Sequence, residues 1–333
     1  MDQPTAPGFA AHWETPEEFI LGITEEVWEQ RKVDALLDYC SEDLVVRAPD
    51  VVLQGNGMKV AATLATLAEF PDAELLGEDV IWSNTRAQQA DGVRGALTAH
   101  RVLCRARHLG SGVYGPATGA PVSYRILTDS WCVDGQIRDE WQIRDQSAIL
   151  RQLGQEPRAW VQAQLDGAEG TVPMPAPLTP DSDPDGPYRG TGARGDSADR
   201  LAGLLNDVMS GDLATIARDW DRACALAYPG GVTGHGHRDA DAFWLGLRSA
   251  FPSAAFRIDH RMGREEPARP PRAAVRWSLY GRHDGWGTFG APSGAYVYVM
   301  GMTHAEFGPR GLLREWTLID ETAIWRQIEL ARG

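Results

Sequence analysis

The chain of 333 residues lacks several features that mark whole classes of protein. Its formal net charge is −14, which is the wrong sign for binding nucleic acid or an anionic membrane surface. It has no run of about 18 apolar residues, so no membrane-spanning helix is predicted. The N-terminus has neither the charged segment nor the apolar core of a signal peptide. We therefore expect a cytoplasmic protein whose partners are small molecules.

Cysteine is scarce, and the common cofactor motifs are missing. None of the four cysteines forms a CxxC pair, which argues against a zinc ribbon or a thioredoxin motif. No P-loop, no GxGxxG after a strand, no GxSxG and no HExxH is present. The segment 235-HGHRDAD-241 brings His235 and His237 near two aspartates, but it matches a loop that enters a helix, and two-residue histidine spacing is a poor metal signal. Neither a metal nor a cofactor is expected.

What the sequence does contain is a tandem duplication. Residues 108–122, HLGSGVYGPATGAPV, return 175 positions later as residues 283–297, HDGWGTFGAPSGAYV. The same offset relates DEWQIRDQSAILRQL to REWTLIDETAIWRQI, while Phe70-Pro71 and Phe251-Pro252 are 181 apart. Loops absorb the difference between the two offsets. The Pro- and Gly-rich stretch between the copies is typical of an extended linker, so the predicted organisation is domain 1 at 16–154, linker at 155–197 and domain 2 at 198–330.

Each copy starts with helical patterns and continues with alternating strands, an order typical of an α+β fold. Along residues 96–108, alternation places His100 and His108 on the mainly apolar side and Arg101 on the other. In the last strand of the copy, Trp141 and Asp145 share a side. We therefore expect each domain to carry a histidine, a tryptophan and an aspartate along an inner, mostly apolar face.

The assembled motifs of the first copy resemble the SnoaL-like polyketide cyclases, of the nuclear-transport-factor-2-like (NTF2-like) superfamily. The residues that carry the resemblance are His108, Gly115-Pro116-Ala117-Thr118-Gly119, Asp134-Gly135-Gln136-Ile137, Glu140-Trp141, Asp145 and Gln152-Leu153-Gly154, with Phe70-Pro71-Asp72 upstream. The match covers about residues 16–154 and, in weaker form, 198–330. It implies two α+β cone domains, each a curved antiparallel sheet with N-terminal helices around an apolar pocket. Because domains of this superfamily commonly pair, it also implies an intrachain pseudo-dimer, with further homo-oligomerisation left open.

The resemblance also implies a chemistry. SnoaL-like cyclases close a ring by an intramolecular aldol reaction without metal or cofactor, with a pocket aspartate as the acid/base group. Asp145 is the nearest match, with His100 and Asp129 as its predicted catalytic partners and Asp320 as its counterpart in the second copy. The alternative is structural, because both aspartates stand where a helix N-cap belongs, and a carboxylate held by backbone amides is a poorer base.

The remaining candidates are predicted to bind substrate, and each has a structural alternative. His108 and His283 either contact substrate or fix the Gly-rich loop through a side-chain hydrogen bond. His100 is either a polar group of the pocket or a satisfied core residue, and Asp129 and His304 are either pocket groups or residues near a strand end. The tryptophans either wall a site for a flat ligand or pack in the core. The full predicted substrate-binding set is Trp131, Trp141, His108, Asp320, His304, His283, Trp316 and Trp277.

Two functions are compatible with these patterns. In the first, the protein binds a small hydrophobic or aromatic carbonyl compound and catalyses a cofactor-free cyclisation, isomerisation or dehydration through an enolate. In the second, it is a non-catalytic ligand-binding or scaffold protein, in which both aspartates only cap helices. A carboxylate of Asp145 free of backbone amides would favour the enzyme.

Overall fold

The computed structural model describes residues 13–85, 95–168 and 176–332. Two six-stranded sheets organise the described part of the chain, one in each half, with helices packed on them. The predicted α+β class and the duplication are thereby confirmed. No helix among the described residues has the length and apolar character needed to cross a membrane.

The first half begins with a helix whose start follows from local sequence. The Thr15 hydroxyl accepts a hydrogen bond from the Glu18 amide at 3.2 Å, and Pro16 occupies the first helical position, where no N–H is needed. The elements of this half are α1 (Pro16–Thr24), continued by a π turn (Glu25–Glu29), a 3-10 turn (Val33–Ala35), α2 (Leu36–Tyr39), β1 (Cys40–Ala48), β2 (Val51–Gln54), α3 (Asn56–Glu69), β3 (Glu74–Thr85), β4 (Gly95–Arg107), β5 (Pro121–Val133), β6 (Gln136–Arg144), α4 (Gln146–Gln152) and α5 (Pro157–Ala168).

The second half repeats this order. Its elements are α6 (Asp196–Met209), α7 (Ala214–Asp219), β7 (Trp220–Tyr228), β8 (Val232–His235), α8 (Gly236–Ala250), β9 (Ala255–Arg264), β10 (Arg272–Arg282), β11 (Tyr296–Gly308), β12 (Gly311–Ile319) and α9 (Glu321–Leu330). The strands run β2-β1-β6-β5-β4-β3 in one sheet and β8-β7-β12-β11-β10-β9 in the other. Each sheet has one parallel pair, β1–β6 or β7–β12. Equivalent residues can therefore be compared position by position.

The compact units do not coincide with the repeats. One unit gathers the described residues of Met1–Ala48, Val52–Arg144 and Ser182–Gly192, and the other those of Pro49–Val51, Asp145–Asp181 and Ala193–Gly333. Within the predicted linker, α5 is helical, and Leu178 and Tyr188 are buried. Parts of that segment thus contribute to the packing of both units.

Candidate ligand site on the inner face of the first sheet

The register of the first sheet decides which side chains share a face. In an antiparallel pair, directly opposed residues project to the same side. Thr98 opposes Ser130, which opposes Glu140, and the next row across the sheet is His100, Thr128 and Gln142. Two adjacent rows of polar groups therefore lie on one face, which we call the inner face because Cys132 and Ile137 on it belong to the core packed against α1.

The same register separates the three residues predicted to act together. Asp129 opposes Ala99 on β4 and Trp141 on β6, so Asp129 and Trp141 project to the face opposite His100. Asp145 lies beyond the end of β6. The register therefore does not bring Asp145, His100 and Asp129 together as one group, because alternation within a strand does not set the register between strands.

In the second half, tryptophans fill the inner face. Trp220, Trp244 and Trp277 are each at most 2% exposed. The Glu315 carboxylate accepts hydrogen bonds from Trp220 Nε1 at 2.8 Å, from Trp244 Nε1 at 3.1 Å and from the Thr317 hydroxyl at 2.8 Å. Trp277 donates from Nε1 to the Thr303 hydroxyl at 3.1 Å. Burial raises the pKa of Glu315, and these donors offset part of that effect. This interior is filled, and the prediction that Trp277 contacts substrate is not supported by its place in the core.

The first half has small residues where the second has tryptophan. By the strand registers and the matching helix ends, Cys40, Thr63 and Val102 correspond to Trp220, Trp244 and Trp277. Elsewhere on this face the first half carries side chains that are more polar, and not smaller, than their counterparts, and Trp82 stands where the second half has Gly263. The pairs, first half before second, are His100 and Val275, Thr98 and Ala273, Ser130 and Ala305, Gln142 and Thr317, Arg144 and Ile319, and Lys59 and Ala240.

In the first half, an ion pair takes the place of the hydrogen bonds that tryptophans donate to the glutamate of the second half. Glu140, the counterpart of Glu315, is buried and pairs with Lys59 of α3. The Cys40 thiol lies near both charges, and burial raises its pKa to about 12, so the thiol stays protonated at neutral pH. A buried carboxylate without tryptophan donors thus retains a compensating charge.

His100 faces this ion pair as a neutral imidazole. Burial lowers the pKa of His100 to about 4, against the opposing effect of Glu140. Its side chain nevertheless keeps part of its surface accessible. His100 Nδ1 and the hydroxyls of Thr128 and Ser130 are buried without a hydrogen-bond partner. Unpartnered polar groups on one face are costly unless something binds there, so the inner face is a candidate ligand site.

Asp145 and Asp320 both cap helices, as expected if their role is structural and not catalytic. Asp145 accepts hydrogen bonds from the Ala148 amide at 3.0 Å, the Ser147 hydroxyl at 3.0 Å, and the amides of Gly230 and Gly231 at 2.8 and 3.0 Å. Burial raises its pKa, and these donors counteract the rise. Its carboxylate is therefore not free of backbone amides, so its contacts favour a cap over a base.

Asp320 caps α9 in a more confined setting. It accepts from the Thr322 amide at 2.9 Å, the Thr322 hydroxyl at 2.7 Å and the Ala323 amide at 3.3 Å. Burial, followed by the charge of Asp50, raises the pKa of Asp320 to about 7. The predicted role of Asp320 in substrate binding finds no support in these contacts, all of which lie within its own helix turn.

The two predicted loop histidines hold the repeated Gly-rich segments. His108 Nδ1 contacts the Thr118 hydroxyl at 3.1 Å and Nε2 approaches Glu69 at 3.3 Å; His283 Nδ1 contacts the Ser293 hydroxyl at 3.0 Å. Both imidazoles are fully buried. A Cβ at Gly110 would lie 1.8 Å from the Ala68 carbonyl oxygen, so glycine is required where this loop crosses the end of α3. These contacts match the loop-fixing alternative.

The tryptophans on the outer face of the first sheet are covered by the chain itself. Tyr188 packs at 5.9 Å from Trp131 and 6.3 Å from Trp141, measured between ring centroids. Arg47 lies 4.7 Å above the Trp141 ring and pairs with buried Asp139. The interpretation of Trp131 and Trp141 as a substrate wall is therefore not supported.

The second sheet has the equivalent outer face. His304, the counterpart of Asp129, opposes Trp316 and is buried there, on the face opposite Glu315. In the histidine-rich segment, His237 Nε2 contacts the Trp220 carbonyl oxygen at 2.9 Å and Asp239 accepts from the His235 amide at 2.8 Å. Within residues 13–85, 95–168 and 176–332, no group of three or more His, Cys, Asp and Glu side chains could hold a metal ion.

Sequence reasoning identified His100 but missed Glu140 and Lys59. Glu140 counted only as part of the Glu-Trp match between the copies, and Lys59 was not a candidate. The available signal was a contrast between the copies: the glutamate is shared, whereas Lys59 stands against Ala240. A charge that appears opposite a shared buried glutamate in one copy alone points to a changed environment.

Comparison with known proteins gives one family match. Residues 19–153 match the family model described as SnoaL-like polyketide cyclase. The chain is similar to solved structures including IdmH, a putative polyketide cyclase from Streptomyces antibioticus (24% identity, 41% of this chain, 96% of that chain, TM-score 0.34). Another is AclR, a putative hydroxylase from Streptomyces galilaeus (21% identity, 41% of this chain, 92% of that chain, TM-score 0.34). A third is a putative SnoaL-like polyketide cyclase from Jannaschia sp. CCS1 (17% identity, 41% of this chain, 96% of that chain, TM-score 0.34). No curated protein matches.

Proposed function

From the match of residues 19–153 to the family model of SnoaL-like polyketide cyclases, we propose that the first half of the chain binds a small hydrophobic or aromatic carbonyl compound on the inner face. There it performs cofactor-free acid/base chemistry through an enolate, as a cyclisation, isomerisation or dehydration. The observation that carries this proposal is the contrast between the two glutamates. Glu315 is enclosed by tryptophan donors, whereas Glu140 lies on a face with an unpartnered imidazole and unpartnered hydroxyls.

The groups of the inner face suit enolate formation. The Glu140 carboxylate accepts the proton from the carbon next to the substrate carbonyl, and Lys59 holds that carboxylate in place. His100, neutral because its pKa is about 4, keeps one ring N–H that can donate to the enolate oxygen, as can the Thr128 and Ser130 hydroxyls. In a ring closure, the enolate carbon attacks a second carbonyl of the same molecule, whose oxygen takes the proton back from Glu140. Atoms and charges balance without an oxidant or a metal.

The duplication supplies a matched control for the test. Purified protein is incubated with a library of carbonyl compounds, and mass spectrometry follows both binding and conversion. Glu140→Gln should retain ligand and lower conversion by about 100- to 10,000-fold, as for loss of a general base. Glu315→Gln makes the same change in the filled second half and should leave conversion intact. Conversion by Glu140→Gln at the wild-type rate would refute the proposed base.

The filled interior favours the scaffold function for the second half. Three buried tryptophans occupy that inner face, and Glu315 accepts hydrogen bonds from two of them and from Thr317. If wild-type protein binds carbonyl compounds in the mass spectrometer but converts none of them, the first half is a binding module as well.

A further inference from the structure

A pocket of about 330 Å³ opens in the second half, where α8 faces the β7–β8 hairpin and the start of α9. Its apolar wall includes Tyr228, Phe243, Phe289 and Ile319. Tyr228 and Phe243 are stacked, with ring centroids 4.1 Å apart and an interplanar angle of 11°. The stacked rings cover each other's inner faces, so a planar ring can pack against an outer face or against the edges of the pair.

The pocket is distinct from the filled interior beneath it. Trp244, which follows Phe243 on α8, is fully buried and closes the space toward Glu315. The Phe243 and Trp244 rings meet edge to face, with centroids 5.0 Å apart. A ligand in this pocket would therefore lie against the aromatic side chains that surround Glu315.

The charged groups of the pocket are all of one sign. Asp239 and Glu321 line it, and no lysine, arginine or histidine does. Asp239 accepts a hydrogen bond from the His235 amide at 2.8 Å, and Glu321 pairs with Arg151, outside the lining, at 2.8 Å. An anionic ligand would be repelled by Asp239, whereas a cation is attracted by that carboxylate and by the faces of the aromatic rings.

We propose that this pocket binds a planar aromatic molecule that carries a protonated amine. The aromatic part lies against Tyr228 and Phe243, and the ammonium group is directed toward Asp239. This site differs in ligand chemistry from the carbonyl site of the first half and does not depend on it.

Two indole compounds of matched shape test the charge requirement. Tryptamine and indole-3-propionate share the ring and the two-carbon spacer, and differ in carrying an ammonium or a carboxylate. In isothermal titration calorimetry at neutral pH, tryptamine should bind and indole-3-propionate should bind about tenfold more weakly or not at all. Absence of tryptamine binding, or equal affinity for the two compounds, would overturn the proposal.

Substitutions at exposed lining positions locate the site. Ala242 and Val232 line the pocket and are both exposed, so Ala242→Trp and Val232→Trp place an indole in its mouth with little effect on the core. Leu245→Trp, at an exposed position of α8 outside the lining, is the control. Each blocking variant that retains the native circular dichroism spectrum should lose tryptamine binding, and the control should keep it. Undiminished binding in both blocking variants would refute this location.

Discussion

Asp145→Ala should destabilise the protein far more than the same change at Asp320, because Asp145 holds more than its own helix. Loss of the N-cap of α4 costs about 1 kcal/mol. The amides of Gly230 and Gly231, which donate to Asp145 at 2.8 and 3.0 Å, would then lack an acceptor. The Gly231 amide belongs to an exposed residue and can bond to water, so only the half-buried Gly230 amide adds about 1–3 kcal/mol, and the total reaches about 2–4 kcal/mol. Asp320 accepts only from Thr322 and Ala323, so Asp320→Ala should cost about 1 kcal/mol.

Urea unfolding of the two variants at pH 7, followed by circular dichroism, measures this difference directly. The expected gap between them is about 1–3 kcal/mol, which corresponds to the half-buried Gly230 amide. Asp145→Asn, tested with the carbonyl library, should in addition leave the rate of conversion unchanged while it lowers stability. Equal losses of stability for Asp145→Ala and Asp320→Ala would refute the proposed structural role, and loss of conversion in folded Asp145→Asn would restore Asp145 as the catalytic group.

Three further predictions concern other positions. Because the pKa of Asp320 is raised to about 7, the folded state binds more protons than the unfolded chain between about pH 4 and 7, so stability falls as the pH rises through this range. Urea unfolding at pH 5 and pH 8 should show that Asp320→Asn removes about 3 kcal/mol of this fall, at about 1.4 kcal/mol per pH unit; an unchanged pH dependence would contradict it. Thr63→Trp, which copies Trp244 of the second half, should cover the inner face, block carbonyl binding and leave the thermal midpoint within a few degrees, whereas an overpacked core would lose about 1–3 kcal/mol. Arg47→Ala should cost about 3–5 kcal/mol in urea unfolding, because it removes the cation paired with the buried Asp139 carboxylate, which otherwise accepts from the Tyr188 amide at 3.2 Å; a neutral effect would refute a stabilising role for this ion pair.

The duplication and the α+β class could be predicted from the sequence because both depend on local or repeated patterns. Identical spacing in the two Gly-rich segments indicated equivalent loops, and the structure shows the same backbone hydrogen bonds in each, such as His108 N to Ala120 O and His283 N to Ala295 O. The N-cap alternative for Asp145 was equally accessible, since a cap is a property of a few consecutive residues.

The grouping of the site residues could not be predicted, because it depends on pairing between distant strands. A β-bulge between Trp131 and Cys132 changes which residues of β5 and β6 oppose each other. Alternation therefore placed His100 correctly within β4 but gave no information on whether Asp129 or Ser130 shares its face. Tyr188 was missed for another reason: it lies in a Pro- and Gly-rich segment without periodicity, where nothing marks a residue that will pack on a sheet.

Helices α4 and α5, which precede the second copy in the chain, pack against α9 of that copy, and this limits how the two copies could be separated. α5 contacts α9, where Arg158 pairs with Glu329 at 2.9 Å and lies 5.0 Å above the Trp325 ring. Fission of the gene between the copies would strip these helices from the surface they cover and expose Trp325. Separation of the two copies would thus remove packing from α9 as well as from the helices themselves.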